Sequence, residues 1–222
     1  NGKIYFSEAT IRYEMHSWHV DGVEGRGNGR LVEHDPATGE TRTVVKSMVF
    51  PNGVCLAHDG QSVLVASTWL CKIFQYWIAG PKKGQIEVWA DDFPGYLDNI
   101  NRASDGGYWV ALVGIRYPSF DLAMRSPGFR YRMVKEIPVD EWVFPGVNNG
   151  CVIKLDANGE PEASYWDPGG ENHPTITSMR EHKGYLYLGG LENNRIGRLK
   201  LEGVDESWTG WESYWGDKRR DV

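Results

Sequence analysis

Residues 52–66 read NGVCLAHDGQSVLVA, an apolar run, a charged turn ending in Asp59-Gly60, and a second apolar run. Two strand-like runs joined through an Asp-Gly turn are typical of a β-hairpin. The pattern occurs twice more, as DNINRASDGGYWVAL at 98–112 and as TSMREHKGYLYLG at 177–189. The chain is therefore built on an internal repeat.

The spacing of this repeat is close to 45 residues. Residue 52 precedes residue 98 by 46 positions, and residue 98 precedes residue 177 by 79. The second interval contains a stretch of different character, Ile115–Asn148, and removing its 34 residues from 79 leaves 45. A period of this length with two hairpins per unit predicts the four-stranded blade of a β-propeller. A two-sheet sandwich is the alternative all-β fold, but it does not explain the recurring spacing.

The sequence begins in the middle of a blade. Lys3–Ala9 matches the second strand of a unit, whereas a first strand for that unit is missing from the sequence. We predict a single all-β propeller domain over 1–222 with about three and a half blades, an insertion over 115–148 and a C-terminal tail over 203–222. Closed propellers typically have about four to eight blades. Either the chain is the C-terminal part of a longer protein, or a second chain completes the propeller.

Charge and hydropathy argue against several classes of partner. The 222 residues include 24 Lys and Arg against 30 Asp and Glu, a formal net charge of −6. Surfaces that bind nucleic acid or anionic membranes need clustered positive charge, so we predict no nucleic-acid partner. No stretch approaches the roughly 18 to 20 consecutive apolar residues of a transmembrane helix, so no membrane-spanning segment is expected.

Two stretches interrupt the repeat. Arg12–Gly25 extends the loop that follows the second strand of the first unit, and it contains His16, Trp18 and His19. Ile115–Asn148 has apolar residues that suit one or two short helices. In a propeller, such excursions lie over the face where ligands enter the central channel, which makes them a predicted lid with substrate contacts.

Four motifs occur in order along the middle of the chain: FPNGV at 50–54, WIAGPKKG at 77–84, FPGYLDNI at 93–100 and DGGYWVA at 105–111. Taken together they resemble the strictosidine synthase-like family, which is related to the six-bladed gluconolactonase and paraoxonase propellers. The resemblance extends from about residue 2 to residue 201. It implies a six-bladed propeller with two or more N-terminal blades outside this sequence.

The resemblance also implies a calcium site. Hydrolase relatives hold the ion in the channel through Asn and Asp side chains at the starts of inner strands. The matching positions are Asn52 and Asp98, with Asn99 as a third candidate. Carboxylate and amide oxygens are the ligands that Ca²⁺ prefers. In the alternative interpretation, Asn52 belongs to a turn and Asp98-Asn99 caps a strand.

The synthase chemistry of the family is not expected. The resemblance places Thr177 where true strictosidine synthases have the acid–base glutamate of a Pictet–Spengler condensation. A threonine hydroxyl exchanges no proton near neutral pH. Thr177 is instead a candidate for substrate contact, and Glu181, in the predicted turn of Met179–Gly184, is interpreted as a solvated surface charge.

The predicted function is calcium-dependent hydrolysis of a small lactone or ester in the channel, with the ion polarising the carbonyl. Asp98 is a candidate base or nucleophile. His173 is a second catalytic candidate because it immediately precedes the strand of Thr177, near the expected channel mouth. The alternative is a non-catalytic propeller that binds a small molecule or a protein. Asn52 and Asp98 favour the enzyme, whereas Thr177 and the incomplete set of blades favour the binder.

Overall fold

The computed structural model describes residues 2–142, 144–191 and 193–210, and within them the chain forms four antiparallel sheets. The strands are β1 (Ile4–Glu8), β2 (Gly29–Asp35), β3 (Glu40–Met48), β4 (Pro51–Leu56), β5 (Ser62–Ser67), β6 (Lys72–Trp77), β7 (Ile86–Ala90), β8 (Gly95–Arg102), β9 (Tyr108–Ile115), β10 (Gly150–Leu155), β11 (Pro161–Asp167), β12 (Ile176–His182), β13 (Tyr185–Gly190) and β14 (Gly197–Lys200).

Each sheet is a blade whose strands follow one another in chain order. The first contains β1-β2-β3, the second β4 to β7, the third β8 to β11, and the fourth β12-β13-β14. The fourteen strands of the described residues, at four to a blade, make three and a half blades. The predicted all-β partial propeller is thus confirmed. The predicted tail over 203–222 lies outside the described residues from 211 onward.

The second strand of each complete blade supplies the core on both sides of its sheet. In β5, Leu64 belongs to the hydrophobic cluster shared with the third blade, whereas Val63 and Val65 belong to the cluster shared with the first blade. Successive side chains of a strand point to opposite faces. Because a blade lies between two neighbours, both faces are apolar, and each buried side chain of this size contributes about 1.5–3 kcal/mol.

A buried carboxylate ties the first blade together. Glu33 of β2 accepts hydrogen bonds from the Tyr5 hydroxyl at 2.6 Å, from Arg42 Nε at 2.8 Å and from Lys3 Nζ at 2.9 Å. Burial alone would raise the pKa of Glu33, but these three donors outweigh it and lower the pKa to about 2. The ionised form of Glu33 therefore stabilises the blade.

The inner strands of neighbouring blades approach closely at Gly53. A Cβ on Gly53 would lie 2.6 Å from the Asn99 Cα and 2.6 Å from the Asp98 carbonyl oxygen. No side chain fits in that space without moving the backbone of β8. The glycine thus brings the start of β4 against the residues of β8 that matter below.

Side-chain amides connect the third blade to the fourth. Asn99 Nδ2 donates to the Thr177 carbonyl at 2.9 Å, and Asn101 Nδ2 donates to the Met179 carbonyl at 2.7 Å. Because no ladder pairs β8 with β12, these two bonds supply the polar connection between the inner strands of the two blades.

The two insertions contain the helices. The first holds a 3₁₀ turn (Met15–Ser17) and α1 (Trp18–Glu24); the second holds α2 (Pro118–Met124), α3 (Pro127–Glu136), α4 (Val139–Trp142) and α5 (Phe144–Val147). Four helices thus replace the one or two predicted. Arg130 Nη1 of α3 donates to the carbonyls of Val23 at 2.6 Å and Glu24 at 3.0 Å. The last carbonyls of a helix lack partners within it, so Arg130 joins the two insertions.

The interpretation of Glu181 as a solvated surface charge is wrong. The residue lies in β12, only 1% exposed. Its Oε2 accepts a hydrogen bond from Trp109 Nε1 at 2.7 Å and one from the Ser104 N–H at 3.3 Å. The sequence misled because the strand extends to His182, and only Lys183-Gly184 form the turn. Glu181 therefore connects the fourth blade to β9 of the third.

Candidate functional site

The starts of the inner strands lie at one end of the sheets. In the strand registers, Pro51 pairs with Ser67 and Gly95 with Ile115, so the beginnings of β4 and β8 adjoin the ends of β5 and β9. The second insertion begins directly after β9, at the same end. We call this end the mouth face. The structure thus places the candidate metal residues and the predicted lid on one side of the propeller.

Asp98 is the central group of the candidate site. Its side chain is on β8 and the residue is 9% exposed. Burial raises the pKa of Asp98 to about 7, although a hydrogen bond from Asn52 acts in the opposite direction. Asn99 Nδ2 donates to Asp98 Oδ1 at 3.1 Å. Asn52, Asp98 and Asn99, the three residues predicted to bind metal, therefore meet at one place.

A residue missed in the sequence completes the support of Asn52. The Thr68 hydroxyl accepts from Asn52 Nδ2 at 3.3 Å and donates to the Leu97 carbonyl at 2.7 Å. Thr68 is buried, directly after β5. A threonine directly after an apolar strand is too common a pattern to be singled out in the sequence, and the partners of Thr68 become visible only when β4 and β8 are side by side.

The donor set fits part of a calcium shell. It offers the Asp98 carboxylate and the side-chain oxygens of Asn52 and Asn99, whose amide nitrogens are engaged in hydrogen bonds. Ca²⁺ takes about six to eight oxygen ligands, so other groups or water must supply the remainder. Within the described ranges, no cluster of three or more His, Cys, Asp or Glu side chains could hold a metal, and no salt bridge involves Asp98. A buried carboxylate without a cationic partner is stabilised in its ionised form by a bound cation.

Thr177 lies beside the candidate metal ligands, whereas the side-chain hydrogen bonds of His173 are to Leu188 and Asn193. The Thr177 carbonyl accepts from Asn99, which places the residue beside the candidate metal ligands. His173 is buried between β11 and β12, with Nε2 3.1 Å from the Leu188 carbonyl and Nδ1 2.9 Å from Asn193 Nδ2. These partners fit a neutral imidazole that donates from Nε2 and accepts at Nδ1. Both ring nitrogens are engaged, and the catalytic role of His173 stays a prediction.

The predicted substrate contacts in the first insertion lie beside an aromatic cluster. Trp18 stacks on Trp69 with ring centroids 5.7 Å apart and an interplanar angle of 9°. His19 meets the Trp18 ring edge-on at 6.0 Å, and burial lowers its pKa. His16 is exposed. Since Trp69 directly follows Thr68, the cluster adjoins the metal candidates, but contact of His16, Trp18 and His19 with a substrate stays a prediction.

The second insertion contributes to the same aromatic cluster. Phe120 of α2 lies 5.6 Å from the Trp69 ring and 5.5 Å from the Tyr96 ring. Tyr96 is buried, and its hydroxyl has no hydrogen-bond partner among the residues that the structure describes. The two insertions thus share an apolar wall above the inner strands, which is suited to the body of an organic ligand.

The sequence is similar to several curated proteins along nearly its whole length. A rat adipocyte plasma membrane-associated protein (Rattus norvegicus) is 33% identical over 206 residues, which cover 91% of this chain and 55% of the relative. The Arabidopsis thaliana protein Strictosidine synthase-like 4 is 32% identical over 205 residues, 90% of this chain and 52% of the relative. The family model for strictosidine synthase matches residues 1–81. The chain belongs to the strictosidine synthase-like family. It spans about half the length of the curated relatives it matches.

Solved structures share the fold at low sequence identity. A luciferin-regenerating enzyme superimposes with a TM-score of 0.60 at 14% identity, covering 94% of this chain and 61% of the other. A calcium-binding protein, regucalcin from Agrobacterium tumefaciens, gives a TM-score of 0.54 at 16% identity, with 87% and 51% covered. A putative gluconolactonase gives 0.54 at 13% identity, with 90% and 55% covered. These similarities establish the propeller fold of the family member.

The helices of the family member are short. In the described parts of the chain, none has the length and apolarity needed to cross a bilayer.

Proposed function

We propose that the assembled propeller hydrolyses a small lactone or ester at the mouth face, with Ca²⁺ bound by Asn52, Asp98 and Asn99. The observation that carries the proposal is the buried carboxylate of Asp98, which is flanked by two amides and has no cationic partner in the described chain. Burying such a group costs free energy unless a cation accompanies it. We infer that the functional protein binds a cation at Asp98.

The chain's own residues would have distinct tasks. Asp98 supplies the charged ligand, while Thr68 and the Thr177 carbonyl hold the amide nitrogens of Asn52 and Asn99, so that the amide oxygens are left for the ion. Calcium, when bound, would polarise the substrate carbonyl and stabilise the oxyanion. The aromatic cluster around Trp69 would hold the apolar part of the substrate and exclude water.

The names of structural relatives support this choice of reaction and ion. One neighbour is described as a putative gluconolactonase and another as a calcium-binding protein. At such low sequence identity, the structural similarity establishes a shared fold and no more. The activity, the substrate and the ion are therefore proposals for this protein. The same applies to Asp98 as base or nucleophile: a carboxylate with a pKa near 7 suits a general base, whereas a calcium ligand stays ionised at much lower pH.

The chain offers a matched pair of variants to test the ion site. Asn99 and Asn101 lie on the same strand, and each donates to a carbonyl of β12, but only Asn99 contacts Asp98. We expect Asn99→Ala to weaken Ca²⁺ binding at least tenfold in isothermal titration calorimetry. Asn101→Ala should lower the free energy of unfolding by about 1 kcal/mol, through the loss of one hydrogen bond, and leave the calcium affinity unchanged. Equal effects of the two substitutions on calcium affinity would contradict the site.

A second experiment separates the enzyme from the non-catalytic alternative. The full-length protein is assayed against a panel of lactones and aryl esters with Ca²⁺ and after chelation. We expect turnover that disappears on chelation and in Asp98→Asn. If calcium binds but no lactone or ester is hydrolysed, the propeller is a binding protein, and the proposed hydrolysis is refuted.

A further inference from the structure

A cleft separates α1 of the first insertion from α3 of the second. Its volume is about 520 Å³, and small-molecule sites usually have about 300–1,000 Å³. Both insertions contribute to its apolar lining, which consists of Val20, Val23, Pro127, Tyr131 and Val134. On another side of α1, Gly22 lies against Trp69, where a Cβ would be 2.3 Å from a ring carbon. The cleft and the aromatic cluster are therefore on different sides of α1.

Arg130 lines this cleft with only part of its guanidinium group engaged. Its Nη1 donates to the carbonyls of Val23 and Glu24. Its Nε, by contrast, is buried and has no hydrogen-bond partner among the residues that the structure describes. A buried donor without an acceptor costs free energy, and the cost is larger for a charged group. An acceptor that enters the cleft from outside the chain would therefore be stabilised at Arg130.

Positive charge predominates in the cleft. Its described lining has three cations and one acid, namely Arg26, Arg130, Lys135 and Glu24. Glu24 already has two cations near it, since its Oε1 is 3.4 Å from Arg12 Nη2 and 3.7 Å from Arg26 Nε. Lys135 is 3.8 Å from Glu136, but an ion pair between two exposed side chains is weak. The cleft thus combines excess positive charge with apolar walls, in a chain whose net charge is −6.

We propose that this cleft binds a small organic carboxylate with an apolar body. The edge of a guanidinium group that contains Nε pairs with the two oxygens of a carboxylate, and Arg130 would supply that edge. The apolar body would lie between Val20 of α1 and Tyr131 of α3. A neutral ligand would leave the Arg130 Nε unpaired, and a simple anion such as phosphate would leave the apolar walls uncovered.

A ligand in this position would contact both insertions and so strengthen the connection that Arg130 makes between them. An acidic side chain of a partner protein would offer the same carboxylate. The buried Arg130 Nε and the volume of the cleft favour a small free molecule, because a folded partner would have to insert a side chain between two packed helices. Binding at the cleft does not depend on the proposed hydrolysis.

The probe is phenylpropionate, titrated into the full-length protein in a chelating buffer and followed by isothermal titration calorimetry. Neutral phenylpropionamide has nearly the same shape and should bind at least about tenfold more weakly, because a charged hydrogen bond is lost. Acetate and inorganic phosphate should also bind at least about tenfold more weakly, because they bury little apolar surface. Chelation keeps the probe from binding to calcium at Asp98, and Asp98→Asn should bind it like the parent protein.

Two matched pairs of variants on α3 locate the site. Lys135→Gln should weaken phenylpropionate binding about threefold, whereas Arg132→Gln, at an exposed position outside the cleft lining, should leave it unchanged. Tyr131→Ser should weaken binding about fivefold through lost apolar contact, whereas Phe129→Ser, in a different groove of the second insertion, should not. Arg130→Lys keeps the charge but removes the paired N–H edge, and it should weaken binding at least about tenfold.

Several results would overturn the proposal. They are the absence of phenylpropionate binding by the parent protein, equal affinity for phenylpropionate and its amide, binding of phosphate as tight as that of phenylpropionate, and equal losses within either matched pair. If Arg130→Lys does not fold, because Nη1 also holds α1, the two matched pairs decide the outcome, since those variants leave that contact in place.

Discussion

Replacing Asp98 with asparagine should stabilise the calcium-free protein at high pH. The pKa of Asp98 in the folded chain is about 7, above its ordinary value of 3.8, because burial disfavours the charged form. The folded state therefore holds a proton that the unfolded state has lost, and stability falls as the pH rises between these two values. The interval of about 3 pH units corresponds to about 4 kcal/mol at full ionisation, of which about 2 to 3 kcal/mol is lost between pH 5 and pH 8.

Urea unfolding in a chelating buffer measures this loss. The parent protein should lose about 2 to 3 kcal/mol more than Asp98→Asn between pH 5 and pH 8. Comparing the two proteins cancels the contributions of all other carboxylates. Asp59→Asn, in an exposed hairpin turn, is the control and should behave like the parent. Adding excess Ca²⁺ at pH 8 should raise the free energy of unfolding of the parent and leave that of Asp98→Asn unchanged.

One result would refute the reasoning. If the parent and Asp98→Asn lose the same stability between pH 5 and pH 8 in the chelating buffer, Asp98 is not a destabilised buried acid. The main argument for a cation at the site would then disappear. If the pH effect is observed but Ca²⁺ does not restore the stability of the parent at pH 8, Asp98 is a buried acid and calcium is not its partner.

Other substitutions test the contacts between and within blades. Gly53→Ala should destabilise by about 1–3 kcal/mol through overpacking and weaken calcium binding, whereas Gly128→Ala, where a Cβ meets nothing within 4 Å, should not destabilise. Glu181→Ala should lower the free energy of unfolding by about 1–3 kcal/mol because it leaves the buried Trp109 N–H unpaired; an effect below about 0.5 kcal/mol in urea unfolding would be inconsistent with the contact. Glu33→Gln should destabilise by at most about 3 kcal/mol at neutral pH. The Glu33 pKa is lowered to about 2, so that loss should disappear as the pH falls from about 4.5 to about 2.

The repeat predicted the architecture because blade geometry depends on local patterns. Each hairpin of residues 52–66, 98–112 and 177–189 carries its own turn and alternating strands, and the 45-residue spacing follows from four such strands. The pattern did not predict the position of Glu181, because a charged residue at a strand end is buried only when a partner from another blade faces it. That partner, Trp109, is 72 residues away.

The site was predictable as a set of residue types but not as a network. Asn52, Asp98 and Asn99 stood out through their positions in motifs, and the fold brings them together. Thr68 did not stand out, since a threonine after an apolar strand is ordinary until β4 and β8 lie side by side. His173 had a suitable position in the chain. Its engagement by Leu188 and Asn193 depends on how the fourth blade packs, which no local pattern specifies.

The contacts between inner strands have a consequence for the width of the channel. At Gly53, the backbones of β4 and β8 are in direct contact. Between β8 and β12, the separation of the strands is spanned by the side chains of Asn99 and Asn101. The width of the central channel of such a propeller therefore depends on the length of the side chains between the inner strands of neighbouring blades. Replacing the glycine by alanine, or an asparagine by glutamine, would therefore change the width of the channel at one blade at a time, while the other residues of the strands stay the same.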